Sequence, residues 1–163
     1  MRMQTRSVLG ARLFGEPVAD LDSATKILKQ ILPLTGIYSD LLSAFGGAVV
    51  FENGAKFRPD EKSKLNDQDG YQSLEILYGP GNGPYSVAHH ISKYQEQLPQ
   101  GFVPVGEAPG GNLLCLDTNG IVYLWDHESL LDEPATRVAL SIDELLERLE
   151  PDEPTEARSD AVI

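Results

Sequence analysis

Cysteine is nearly missing from this chain: Cys115 is the only one in 163 residues. That excludes an internal disulfide and a cysteine-built zinc site. Cys115 sits in the apolar run Leu113-Leu114-Cys115-Leu116. The run predicts a buried free thiol in a reducing compartment, unreactive because an apolar site raises the thiol pKa. Long hydrophobic runs are missing too, and none approaches the roughly 18 residues that cross a bilayer. Positive charge is scarce. Lys and Arg number 13 against 25 Asp and Glu, a net charge of −12. The imbalance is concentrated: Pro104 to Ile163 holds 14 Asp and Glu against three Arg. Such a surface argues against DNA or RNA, whose phosphates require a basic one. It favours a basic protein partner, the rival reading being that acidic charge merely keeps a small domain soluble.

What is present is enough for one domain with a real core. Hydrophobic residues make up 41% of the chain, and a chain of this length folds without staples. Met1 to Gly15 carries three Arg and no acid. It lacks the central apolar block of a secretory signal and reads as a frayed, solvated start. Leu21 to Leu32 places Ala24, Ile27, Leu28 and Ile31 at helical spacing, with Asp20 or Asp22 as cap and Pro33 as stop. Tyr38, Leu41, Leu42 and Phe45 repeat that spacing in a second helix, which Gly46-Gly47 ends. Ala48 to Phe51 reads as a strand. Asn53-Gly54 predicts a two-residue hairpin with Ala55 to Phe57 returning beside it. Arg58 to Gln72 is polar and reads as a surface loop. Leu74, Ile76 and Tyr78 alternate with polar Glu75, which predicts a strand with one wet face.

Farther on, Val87, Ile91, Tyr94 and Leu98 define one face of a third helix, closed by Pro99. Phe102 to Val105 is a strand. Leu113 to Leu116 and Ile121 to Trp125 are apolar on both faces, so that pair should lie centrally, joined by Thr118-Asn119-Gly120, in which Asn119-Gly120 favours a tight hairpin. Val138 to Leu140 is a last short strand. Ser141 and Glu144 form a capping box before a helix that buries Ile142, Leu145, Leu146 and Leu149. Pro151 to Ile163 is acidic, contains two Pro and has little to bury, so it reads as a disordered tail. The expected division is an N-terminal extension over 1–20, one domain over 21–150 and the tail over 151–163.

No motif for catalysis stands out. The three histidines are His89, His90 and His127. Adjacent histidines on a helix point about 100° apart, so His89 should face water and His90 the flank of the apolar stripe. A metal site would draw on one of them with His127, Asp126 or Glu128. No His-Glu-x-x-His pair supports it, and no metal or other cofactor is expected. A Gly-x-Ser-x-Gly elbow is missing. Gly79 to Gly83 has no Lys-Ser or Lys-Thr after it, and Pro109-Gly110-Gly111 precedes a strand where a phosphate cradle would precede a helix. Trp125 reads as core. The polar run Asp126-His127-Glu128 leaves its strand at the rim of the sheet, where binding loops gather.

In order, these pieces resemble a family. A Tyr/Leu/Phe helix ends in Phe45-Gly46-Gly47 and is followed by the strand Val49-Val50-Phe51. Leu98-Pro99-Gln100-Gly101-Phe102 leads into Pro104-Val105-Gly106. A Gly110-Gly111-Asn112 strand ending in Cys115-Leu116-Asp117, then Val122-Tyr123-Leu124-Trp125-Asp126-His127-Glu128, and a closing Asp-Glu-Leu-Leu helix complete the set. The set, from about Tyr38 to Leu149, is similar to the SUKH superfamily, which includes yeast cell-wall-assembly regulators and many bacterial immunity proteins. The resemblance implies an α+β single domain: a mostly antiparallel sheet of about five to six strands with helices packed on it. It implies no catalysis. In bacteria it implies a cytoplasmic protein that binds and neutralises a cognate polymorphic toxin, often a nuclease, and in eukaryotes a regulatory or scaffolding module. The positions that match, Gly46, Gly47, Gly106, Gly111, Asn112, Trp125 and Asp126, look mainly structural. Charge and resemblance together place the expected partner surface at Glu107, Asp126, His127, Glu128, Asp132 and Glu133, with no nucleic acid or membrane bound and the chain a monomer or weak dimer.

Overall fold

The computed structural model describes residues 3–34, 36–128 and 135–152. Helix α1 (Met3–Leu9) leads into strand β1 (Ala11–Phe14), and helices α2 (Leu21–Lys29) and α3 (Gly36–Phe45) follow. Next come β2 (Ala48–Phe51), β3 (Lys56–Phe57), β4 (Gln72–Ser73), β5 (Ile76–Leu77) and helix α4 (Val87–Tyr94). The chain closes with β6 (Val103–Glu107), β7 (Leu113–Leu116), β8 (Val122–Trp125), β9 (Ala135–Ala139) and helix α5 (Ile142–Arg148). Seven strands form one antiparallel sheet in the order β1-β2-β5-β6-β7-β8-β9. The α+β class is as expected.

The helix signals translate directly into geometry. Asp20 caps α2, its carboxylate accepting from the Ser23 amide at 3.1 Å. Ser86 caps α4 by accepting from the His89 amide, and Ser141 caps α5 by accepting from the Glu144 amide at 3.0 Å. Such caps satisfy amides that a helix leaves without partners. At the end of α3, Gly46 adopts φ +69° and its amide closes on the Leu42 carbonyl at 2.8 Å. Only glycine takes that conformation without cost. All four residues of β7 are buried, with β6 and β8 on either side. Tyr38, Leu41 and Leu42 of α3 and Leu145 and Leu146 of α5 join the same core.

Five expectations need correction. The opening segment is not frayed: β1 pairs along its length with β2, and Leu9 is fully buried. This pairing supplies the seventh strand. The Asn53-Gly54 turn does not return a strand against β2. Both edges of β2 are already occupied by β1 and β5, so β3 leaves the sheet and pairs with β4 in a separate two-stranded ribbon. The strand at Leu74 to Tyr78 has no clean wet face, because Leu77 and Tyr78 are both buried. Thr118-Asn119-Gly120 joins β7 and β8 as expected, but as a three-residue loop and not a tight two-residue turn. Only Gly120 has positive φ, and the Asp117 amide bonds the Ile121 carbonyl. The carboxylate of Asp117 accepts from the Asn119 and Ile121 amides at 2.9 and 3.0 Å, which holds the wider turn. Finally, α2 buries only Leu28; Ile27 and Ile31 are exposed.

The polar stretch after β3 is a strap. The Asp60 and Glu61 amides bond the Val138 and Arg137 carbonyls, each at 3.0 Å, along the outer edge of β9. Arg148 of α5 holds Asp60 at 3.0 Å and Glu144 at 2.6 Å while donating to the Val138 carbonyl. The start of the expected tail is tied down as well. Glu150 exchanges two backbone bonds of 2.9 Å with Lys56, and the Asp152 amide donates to the Asn53 carbonyl. The rest of the tail, 153–163, lies outside the described residues.

Candidate partner-binding rim

Residues directly opposite one another across a sheet share a face. One such row runs through the whole sheet: Arg12, Val50, Ile76, Glu107, Leu113, Trp125 and Ala135. Helix α4 packs over the middle of that row. Tyr94 meets Trp125 edge-on with ring centroids 6.0 Å apart. Trp125 is therefore core, as its apolar neighbours indicated.

Glu107, at the end of β6, belongs to this packed region. Its carboxylate accepts from the Tyr78 hydroxyl at 2.7 Å and lies 3.8 Å from His90 Nε2. His90 is buried and stacks on Tyr78 with centroids 3.7 Å apart and planes 13° off parallel. His90 Nδ1 lies 2.9 Å from the Ser86 carbonyl. A carbonyl only accepts, so Nδ1 carries the proton and Nε2 presents a lone pair toward Glu107. Tyr38 completes the set by donating to the Tyr78 carbonyl at 2.8 Å. Burial drives the His90 imidazole and the two tyrosine hydroxyls toward their neutral forms. It lowers the His90 pKa and raises those of Tyr78 and Tyr38, and the Cys115 thiol is pushed up to about 12. The helical position of His90 was legible from sequence. Its burial was not, because the Ser86 carbonyl, Tyr78 ring and Glu107 carboxylate that accept it come from three parts of the chain.

The rim proper follows β8. Asp126 is largely buried: its carboxylate accepts from the Glu128 amide at 3.1 Å and meets Lys64 of the strap at 3.5 Å. His127 is exposed, yet its amide and Nδ1 lie on the Asn112 side-chain oxygen at 3.3 and 3.0 Å. Asn112 in turn donates to the Pro109 carbonyl at 3.0 Å, which locks the turn before β7 to the turn after β8. Glu128 projects into solvent, its side chain 83% exposed. Asp132 and Glu133 lie outside the described residues. Four of the six expected residues are thus placed: Glu107, Asp126 and His127 are engaged in internal bonds, and Glu128 is open. Lys64, which the sequence did not single out, touches the site because the strap carries it across β9.

Among the described residues, no three His, Cys, Asp or Glu side chains converge as a metal set would require. None of the described helices is long and apolar enough to cross a membrane.

The fold and the rim together define a class: a single α+β domain whose ordered polar groups mostly brace turns and strand ends. The sequence profile of the SMI1 / KNR4 family (SUKH-1) matches residues 19–148, and the chain belongs to that family. It is also similar to the SPbeta prophage-derived uncharacterized protein YokK of Bacillus subtilis (strain 168). The two are 33% identical over 131 residues, which cover 74% of this chain and 68% of that protein.

Proposed function

We propose that this is a non-catalytic, cytoplasmic immunity protein that binds a cognate polymorphic toxin, often a nuclease, and neutralises it by covering its basic substrate cleft. Family membership carries the reading. The acidic balance of the chain supports the choice of a basic partner. The rim after β8 is the proposed contact, with Glu128, Asp132 and Glu133 meeting the partner and Glu107, Asp126 and His127 shaping the surface beneath them. Opposite charge steers such encounters, raising association rates to ~10⁸ M⁻¹s⁻¹ or more at low salt. A regulatory or scaffolding module for endogenous proteins is the alternative within the same family.

Calorimetry at two salt concentrations, against the C-terminal domain of a large secreted protein encoded directly upstream, tests the reading. Tight binding that weakens with salt is the expected result. A folded protein that leaves that domain unbound and active would move the assignment to the scaffolding alternative.

A further inference from the structure

Asparagine is followed by glycine three times, at Asn53-Gly54, Asn82-Gly83 and Asn119-Gly120. Such a pair can react with itself. Once the glycine amide loses its proton, its nitrogen can attack the asparagine Cγ, because glycine has no side chain to stand in the way. The attack requires the nitrogen to come within about 3–3.5 Å of Cγ in a suitable orientation. A carbonyl that accepts from the amide opposes it, since the bond stabilises the protonated form and would face the resulting anion.

The fold treats the three pairs differently. The Asn53 side-chain amide donates to the Val8 carbonyl at 2.7 Å, and the Gly54 amide donates to the Phe51 carbonyl at 3.0 Å. Asp152 also closes over Gly54, where a Cβ would collide with its carboxylate. The Gly120 amide donates to the Asp117 carbonyl at 3.0 Å, and the Asp117 carboxylate holds the Asn119 amide. Asn82 and Gly83 are exposed. Among the described residues, neither the Asn82 side chain nor the Gly83 amide has a hydrogen-bond partner. A Cβ at Gly83 would meet nothing within 4 Å. Gly83 is held through its carbonyl instead, which accepts from the Ser86 amide at 3.1 Å and the Ser86 hydroxyl at 2.7 Å.

We propose that Asn82 is a self-modification site, converting without an enzyme to aspartate and isoaspartate while Asn53 and Asn119 persist. Hydroxide takes the Gly83 amide proton. The nitrogen bonds to the Asn82 Cγ as the bond from Cγ to Nδ2 breaks, and ammonia leaves with a proton from water, which restores the hydroxide. Water then opens the resulting succinimide. Breaking its Cγ–N bond gives aspartate; breaking the bond between nitrogen and the Asn82 backbone carbonyl carbon gives isoaspartate, with the chain rerouted through Cγ. Either product adds a carboxylate beside Ala24, Ile27 and Ala88, which line a cavity of about 150 Å³ with Asn82. A neutral margin next to exposed Ile27 thereby gains a negative charge. No partner enters this chemistry, which is separate from toxin binding.

The test incubates the full chain in heavy-oxygen water at neutral and at mildly alkaline pH, and follows its peptides by mass spectrometry over time. In the folded protein Asn82 should convert at least ~5-fold faster than Asn53 or Asn119, and faster still at the higher pH. In urea the three should convert at rates within ~3-fold of one another, because each then precedes an equally free glycine. Gly83→Ala fits the open space and should slow conversion at Asn82 by ~10-fold or more with the fold intact. Equal conversion of the three pairs in the folded protein, or faster conversion at Asn53 or Asn119, would overturn the proposal. So would an Asn82 that converts in urea but persists in the native chain. Conversion that Gly83→Ala does not slow would mean direct hydrolysis of the side chain by water, and would overturn the proposed route.

Discussion

His90 is the residue whose surroundings speak most directly to pH. Glu107, Tyr78, Tyr94, His89 and Lys93 surround it, and desolvation outweighs the attraction of Glu107, so its folded pKa lies below the ordinary 6.5. The unfolded chain then binds the proton more readily than the folded one. The stability tied to His90 is complete above about pH 6.5 and is lost as pH falls toward the folded value. Urea midpoints at about pH 7.5 and about pH 5 should show the loss, and His90→Phe, which keeps a ring on Tyr78, should reduce that acid sensitivity. An undiminished slope in the variant would assign the effect to the carboxylates. Two rim residues should separate by the same physics. Asp126→Ala removes the acceptor that serves the Glu128 amide and Lys64, and should cost about 1 kcal/mol in denaturant unfolding. Glu128→Lys changes an exposed side chain, and should alter stability by less than about 0.5 kcal/mol.

Elements meet here through a few close contacts. Gly79 lies where a Cβ would fall on the Gly47 carbonyl carbon and within 2.6 Å of the Ala48 amide nitrogen. Backbone cannot retreat as a flexible side chain can, so Gly79→Ala should cost at least about 2 kcal/mol and lower the melting temperature markedly. Arg148 is the corresponding tie between the strap, β9 and α5. Arg148→Ala should cost about 1–3 kcal/mol. It should also speed hydrogen exchange at the Asp60 and Glu61 amides more than at the β7 amides, because only the strap depends on it. Uniform acceleration would mean that the whole fold, and not the strap alone, has loosened.

For the molecule as a whole, a net charge of −12 sets how it meets a partner. Association with a basic toxin domain should slow as salt rises, and Glu128→Lys should both slow it and flatten its salt dependence. Stopped-flow rates at two ionic strengths measure both. A rate indifferent to the Glu128 charge would place the contact elsewhere on the surface. Gain or loss of binding at that position can be read cleanly, because the substitution leaves the fold intact.

Helices and interior strands were legible in the chain because their signals are local. Ser141 with Glu144, Phe45-Gly46-Gly47, and the unbroken apolar run of Leu113 to Leu116 each act within a few residues. The same local reading placed Trp125 in the core and put Asp126, His127 and Glu128 at the end of its strand. Partner choice between distant segments was not legible. Asn53-Gly54 signals a hairpin, but a strand has only two edges, and β1 and β5 took both of those on β2. Whether a carboxylate is open or engaged is likewise settled by what folds against it. Glu107 and Glu128 look alike in sequence, yet one accepts from the Tyr78 hydroxyl and the other stands in water. Local propensity acts over a turn or a strand, whereas burial and pairing depend on groups brought together from across the chain.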